Sequence, residues 1–111
     1  MDDETLEALR AQLIDERAEL ENLLQAAADA ASTVTLDQTR TGRLSRMDAL
    51  QGQQVAQDAQ RRRQQQLREV HAALVRMDDG DYGCCEACGD DIAIGRLRIS
   101  PAARRCVTCA D

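Results

Sequence analysis

Cys85-Glu86-Ala87-Cys88 and Cys106-Val107-Thr108-Cys109 are two Cys-x-x-Cys pairs with seventeen residues between them, 89 to 105. Two residues between paired cysteines let one tight backbone turn aim two sulfurs at the same point, and zinc takes four such soft ligands in a tetrahedron. The spacing predicts one Zn(2+) per chain, held by Cys85, Cys88, Cys106 and Cys109. Gly89 follows the first pair directly, where a zinc knuckle commonly needs a residue tolerant of positive φ. Disulfides fit poorly, because Met1 is followed by Asp2-Asp3-Glu4 and not by the basic stretch and apolar run of a secretion signal. A thioredoxin-like pair would need a preceding strand, and a long polar helix pattern stands there instead. Cys84 adjoins the motif without extending it, since neighbouring residues cannot readily both ligate one tetrahedral ion. It reads either as a spare thiol or as an oxidation-sensitive switch beside the zinc.

Outside this motif the chain has little with which to build an ordinary core. It has 111 residues, no Phe, no Trp and one Tyr, Tyr82. Aromatic side chains supply much of the buried area of globular cores, so a metal and helix-to-helix seams of Leu, Ala, Val and Met must do that work here. No apolar stretch approaches the roughly 20 residues that span a bilayer. The expectation is a soluble, cytoplasmic protein with no membrane contact.

Residues 3 to 31 carry Leu6, Leu9, Leu13, Leu20, Leu24 and Ala27 at intervals that place one apolar stripe on a helix. A second run, about 46 to 78, carries Met47, Leu50, Ala56, Ala59, Leu67, Val70, Leu74 and Met77. Each helix alone would expose its stripe and be marginal in water, so the expected solution is an antiparallel hairpin with the stripes facing each other. Charge agrees with that pairing. Residues 1 to 31 hold nine acids against Arg10 and Arg17, while residues 40 to 76 hold eight arginines against Asp48, Asp58 and Glu69. Exposed pairs contribute tenths of a kcal/mol to about 1 kcal/mol each. Arg61-Arg62-Arg63 reads as helix surface towards the acidic first arm. His71 reads as a surface or seam residue, because four thiolates already complete a tetrahedron.

The fold class is therefore mostly α: a two-helix coiled-coil hairpin over 1–78, with its tip at about 32–46, then a four-cysteine zinc-finger module over 79–111. The Thr- and Ser-rich stretch from Ser32 to Arg46 holds the turn, with Asp37 or Ser45 able to cap the second helix. Arg40, Arg43 and Arg46 recur there at every third residue, as a solvated face or as a tip that meets an anionic surface. Gly80 is placed to end the second helix. Ile92-Ala93-Ile94 and Leu97-Arg98-Ile99 read as short extended segments around a turn at Gly95-Arg96, and Ser100-Pro101 as the start of one helical turn into Cys106.

The hairpin followed by Asp81-Tyr82-Gly83-Cys84-Cys85-Glu86-Ala87-Cys88-Gly89, then Ile92, Ile94, Arg96-Leu97, Pro101 and Cys106-Val107-Thr108-Cys109, resembles the DksA/TraR family of bacterial zinc-finger transcription regulators. The resemblance runs through nearly the whole chain and is most specific over residues 79 to 109. It implies a monomer that binds RNA polymerase, inserts its coiled coil into the secondary channel and alters initiation, often together with ppGpp. It also implies the same four cysteines as zinc ligands. Family members carry an Asp-x-Ala signature at the tip, and counting back from Cys85 sets Ser45-Arg46-Met47 opposite it, without the Asp; moving the register by three gives Asp48-Ala49. The tip residues implied as partner-binding are thus Arg40, Arg43, Ser45, Arg46, Asp48 and Ala49. In length the sequence is a short form, without the terminal extensions of longer members.

An enzyme is not expected, because a closed tetrathiolate site leaves zinc no open position and no nucleophile or phosphate-binding motif is present. Two alternatives stand beside the regulator. One is a redox-sensing zinc protein using Cys84; the other is a zinc-finger DNA-binding protein, for which Arg104-Arg105 is the basic material near the metal. A net charge of -6 opposes duplex binding.

Overall fold

The computed structural model of the chain describes residues 1–37 and 46–110, with side chains described outside 31–37, 46 and 49. Three helices follow in order: α1 (Asp3–Asp37), α2 (Arg46–Asp79) and the short α3 (Ile94–Ile99). α1 and α2 lie side by side and antiparallel, as cross-arm contacts between low and high numbers require. Arg10 Nη1 meets Asp78 Oδ1 at 3.1 Å, and Glu21 Oε1 lies 3.9 Å from His71 Nε2. His71 is thus an exposed cross-arm residue. Arg61 pairs with Asp58 on its own helix, not with the acidic arm, because a neighbour one turn away is closer than a charge across the seam.

Asp2 starts α1: its Oδ1 accepts from Thr5 N at 2.7 Å, satisfying one of the unpaired amides of the first turn. α1 runs on through Ser32–Asp37, where Thr and Ser content suggested the turn. Thr and Ser cost only tenths of a kcal/mol each in a helix, too little to stop a continuing ladder. Asp37 is consequently the last residue of the first helix, and Ser45, the other cap expected for the second, lies outside the described residues. α2 ends in a Schellman motif: Gly80 N donates to Met77 O at 3.3 Å and Asp81 N to Arg76 O at 2.8 Å, with Gly80 at φ 81°.

The apolar seam is used unevenly. Leu9, Leu13 and Leu20 of α1 are buried with Val70, Ala73 and Met77 of α2, and the same cluster continues into Tyr82, Cys85, Ile92 and Leu97. Ala73 fell outside the sequence stripe, yet it is fully buried. Met47, Leu50 and Ala56 belonged to the stripe and are exposed. The core therefore sits at the base of the hairpin, where the two arms and the C-terminal module meet.

Ile94–Ile99 is helical, which overturns the expectation of two extended segments around Gly95-Arg96. Leu97 N and Ser100 N close helical hydrogen bonds to Ala93 O and Arg96 O at 3.1 and 2.8 Å. Short apolar runs do not distinguish strand from helix by periodicity alone. Here Leu97 alone anchors the segment in the core, and Ile99 is left outside. After α3, Ala103 N bonds to Ser100 O at 3.0 Å, one tight turn in place of the expected helical turn into Cys106.

Candidate metal centre

Each half of the cysteine set is shaped by local backbone bonds. In the first knuckle, Cys85 N donates to Asp90 O at 2.8 Å and Gly89 N folds back to Cys85 O at 2.9 Å. Gly89 has φ 79°, a left-handed conformation that side chains rarely adopt, so the glycine expected there is required. In the second, Cys109 N and Ala110 N both reach Cys106 O, at 3.1 and 2.9 Å. The halves are tied to each other by Glu86 N to Arg104 O at 2.9 Å and by Arg105 Nε to Glu86 Oε1 at 3.3 Å. Arg96 Nε adds a bond to Arg105 O at 2.8 Å. Two of the module's four arginines are thereby occupied in holding the knuckles.

The result brings together the four predicted ligands. The Sγ atoms of Cys85, Cys88, Cys106 and Cys109 all lie within 4.8 Å of one another, and Cys88 and Cys106 are 3.8 Å apart. A tetrahedron with zinc–sulfur bonds of about 2.3 Å has sulfurs about 3.8 Å apart, so closing around the ion needs shifts of about 1 Å at most. Electrostatics points the same way. The Cys106 backbone amide, with smaller help from those of Cys88 and Ala87, draws the Cys85 thiol down to about 6 against its burial. The sulfurs of Cys106, Cys88 and Cys85 push Cys109 up to about 12. Four thiolates this close repel one another, and a dication removes that repulsion. Cys84 stands apart, exposed, its backbone bridging to Asp91. The donor set fits one zinc ion.

The module is fastened to the hairpin by more than apolar contact. Tyr82 Oη donates to Pro101 O at 2.7 Å, and Gln12 Nε2 of α1 donates to Arg98 O of α3 at 2.9 Å. Gly83, buried at φ 93°, passes so close to the N-terminus that a Cβ there would meet Met1 Cε at 2.9 Å. The Gln12 strut and the Asp2 cap were not read from the sequence. A capping Asp before an apolar run was visible; a contact across 86 residues was not.

The family of prokaryotic dksA/traR C4-type zinc fingers matches residues 80–111. Over 97% of this chain and 81% of the other, the fold superposes on the structure of transcription factor DksA2 from Pseudomonas aeruginosa, with a TM-score of 0.80 at 26% identity. Residues 80–111 are thus a zinc finger of the DksA/TraR type. The mostly helical fold with a C-terminal four-cysteine zinc finger is shared with that solved structure, and the finger takes one zinc ion. Relatives in sequence include the RNA polymerase-binding transcription factor DksA of Haemophilus influenzae, 37% identical over 43 residues, 39% of this chain. The Escherichia coli protein of the same name is 37% identical over the same share. These alignments span only 30% and 28% of those proteins' lengths.

Of the other sequence-predicted positions, Arg40, Arg43 and Ser45 lie outside the described residues, as do the side chains of Arg46 and Ala49. Asp48 is exposed in the first turn of α2. Among the described residues no helix is long and apolar enough to cross a membrane.

Proposed function

We propose that this protein is a cytoplasmic, monomeric transcription regulator that binds RNA polymerase, with its hairpin entering the secondary channel and acting on initiation. The reading is carried by the fold: a long helical hairpin projecting from a zinc-stapled base, shared along almost the whole chain with a DksA-type regulator. The zinc, held by Cys85, Cys88, Cys106 and Cys109, is structural. Such a closed tetrathiolate offers no position for a substrate, so the protein is not an enzyme. α1 spans 35 residues, about 52 Å at 1.5 Å per residue, enough to probe a deep channel. Arg40, Arg43, Ser45, Arg46, Asp48 and Ala49 are the proposed contact residues, and ppGpp the proposed co-effector.

The chain is acidic overall, and Arg105 is engaged by Glu86. Both features disfavour operator binding. The deciding experiment is binding of zinc-loaded protein to purified bacterial RNA polymerase, with a transcript-cleavage factor that occupies the secondary channel as competitor. Mutual displacement is expected. Absence of binding at micromolar concentration would sink the reading. Arg43→Ala or Arg46→Ala should leave binding nearly intact and weaken the effect on initiation.

A further inference from the structure

The described side chains along the beginning of α2 bury no apolar face. Every described side chain from Met47 to Asp58 is exposed, including Met47 at 71%, Leu50 at 58% and Val55 at 68%. Further along the same helix, Val70, Ala73 and Met77 are buried against α1 and the zinc module. Helices in water owe most of their stability to the packing of one face, and a stretch, 47 to 58, whose described side chains are all exposed is marginal. Gln51, Gln53, Gln54 and Gln57 add no buried surface.

Gly52 lies in the interior of this stretch. A Cβ built on it would meet nothing within 4 Å, so no close approach requires glycine, in contrast to Gly83 and Gly89. What glycine does here is lower the helix propensity of a segment that already lacks packing.

We propose that Met47–Asp58 opens by itself, in a local unfolding step that leaves Leu67–Asp79 and the zinc module folded, and that Gly52 sets how often it opens. The hairpin is thus two units of unequal stability: a base fixed by the shared core, and an outer arm whose helix is only partly populated in the free protein. Resting on the polymerase reading above, one consequence follows for binding. Ordering the arm is subtracted from the affinity, so Gly52→Ala should tighten binding without adding a contact.

The test needs no partner. Native-state amide hydrogen exchange is measured by residue on the zinc-loaded full chain and on its Gly52→Ala variant. Residues 50–58 should be at least about 100-fold less protected than residues 70–77. Gly52→Ala should raise protection at 50–58 about fivefold, the ratio that the glycine-to-alanine helix propensity corresponds to, and leave 70–77 unchanged. Equal protection of both segments in the wild type would overturn the proposal, as would a Gly52→Ala effect that is absent or equal at both. A failure of polymerase binding would leave this result standing, since it is read on the free protein.

Discussion

Tyr82 is the chain's single aromatic residue, and it closes the joint between hairpin and zinc module by donating to the Pro101 carbonyl. Burial pushes its phenol up to about 12 from the ordinary 10. The folded state therefore favours the neutral phenol. Its contribution is fully present below pH 10 and is lost as pH rises through about 12. With no Trp and no second Tyr, tyrosinate absorbance reports this group alone, and its midpoint should stand near 12 in the folded protein and return to about 10 in denaturant. Tyr82→Phe leaves a buried carbonyl without its donor and should cost about 1 kcal/mol in urea unfolding. Cys85 has a double duty at the same scale, as a member of the thiol set and of the buried cluster. Cys85→Ser should remove bound zinc, measured by metal content, and also loosen the packing around Leu9 and Val70. Cys84→Ser, at an exposed position, should change neither.

At the scale of elements, α1 and α2 illustrate how an amphipathic stripe and a tertiary seam differ. The stripe ran through both arms, but burial is concentrated where Leu9, Leu13 and Leu20 meet Val70, Ala73 and Met77. Leu13 is fully buried. Leu13→Ala should therefore cost about 2–5 kcal/mol, through lost transfer energy and the cavity left behind. The matched change Leu50→Ala, on the exposed arm, should stay within about 0.5 kcal/mol in the same urea titration. An equal cost at the two sites would contradict the uneven seam. α3 was hidden in the sequence because Ile92/Ile94 and Leu97/Ile99 each alternate as two short strands would, while Ile94 and Leu97 stand three apart as on a helix. Only the docking of Leu97 into the base core, with Gln12 meeting the Arg98 carbonyl, selects the helix.

At the scale of the whole molecule, the zinc module is not an appendage, because Cys85, Ile92 and Leu97 share one buried cluster with the base of both arms. The molecule extends 59 × 26 × 20 Å, with this cluster at its zinc end. Removing zinc should therefore unfold more than the knuckles. Chelation is expected to lower the thermal midpoint of helical circular dichroism by more than about 10 °C, since a loss of 1 kcal/mol shifts a domain of this size by about 4–8 °C. Helix melting that ignored the chelator would mean that the hairpin stands alone.

The zinc set, the positive-φ glycines at 80 and 89, and the two long helices were determined by the sequence itself, because each depends on neighbours in the chain: a two-residue spacing, a left-handed turn, a 3.6-residue period. The tertiary structure alone decided that Ala73 is core while Met47 and Leu50 are not, that Ile94–Ile99 is helical, and that Cys85 belongs to the hairpin's core as well as to the metal. Those outcomes depend on which faces meet across a seam or a joint, and contacts such as Tyr82 to Pro101 or Gln12 to Arg98 join positions that no local pattern connects.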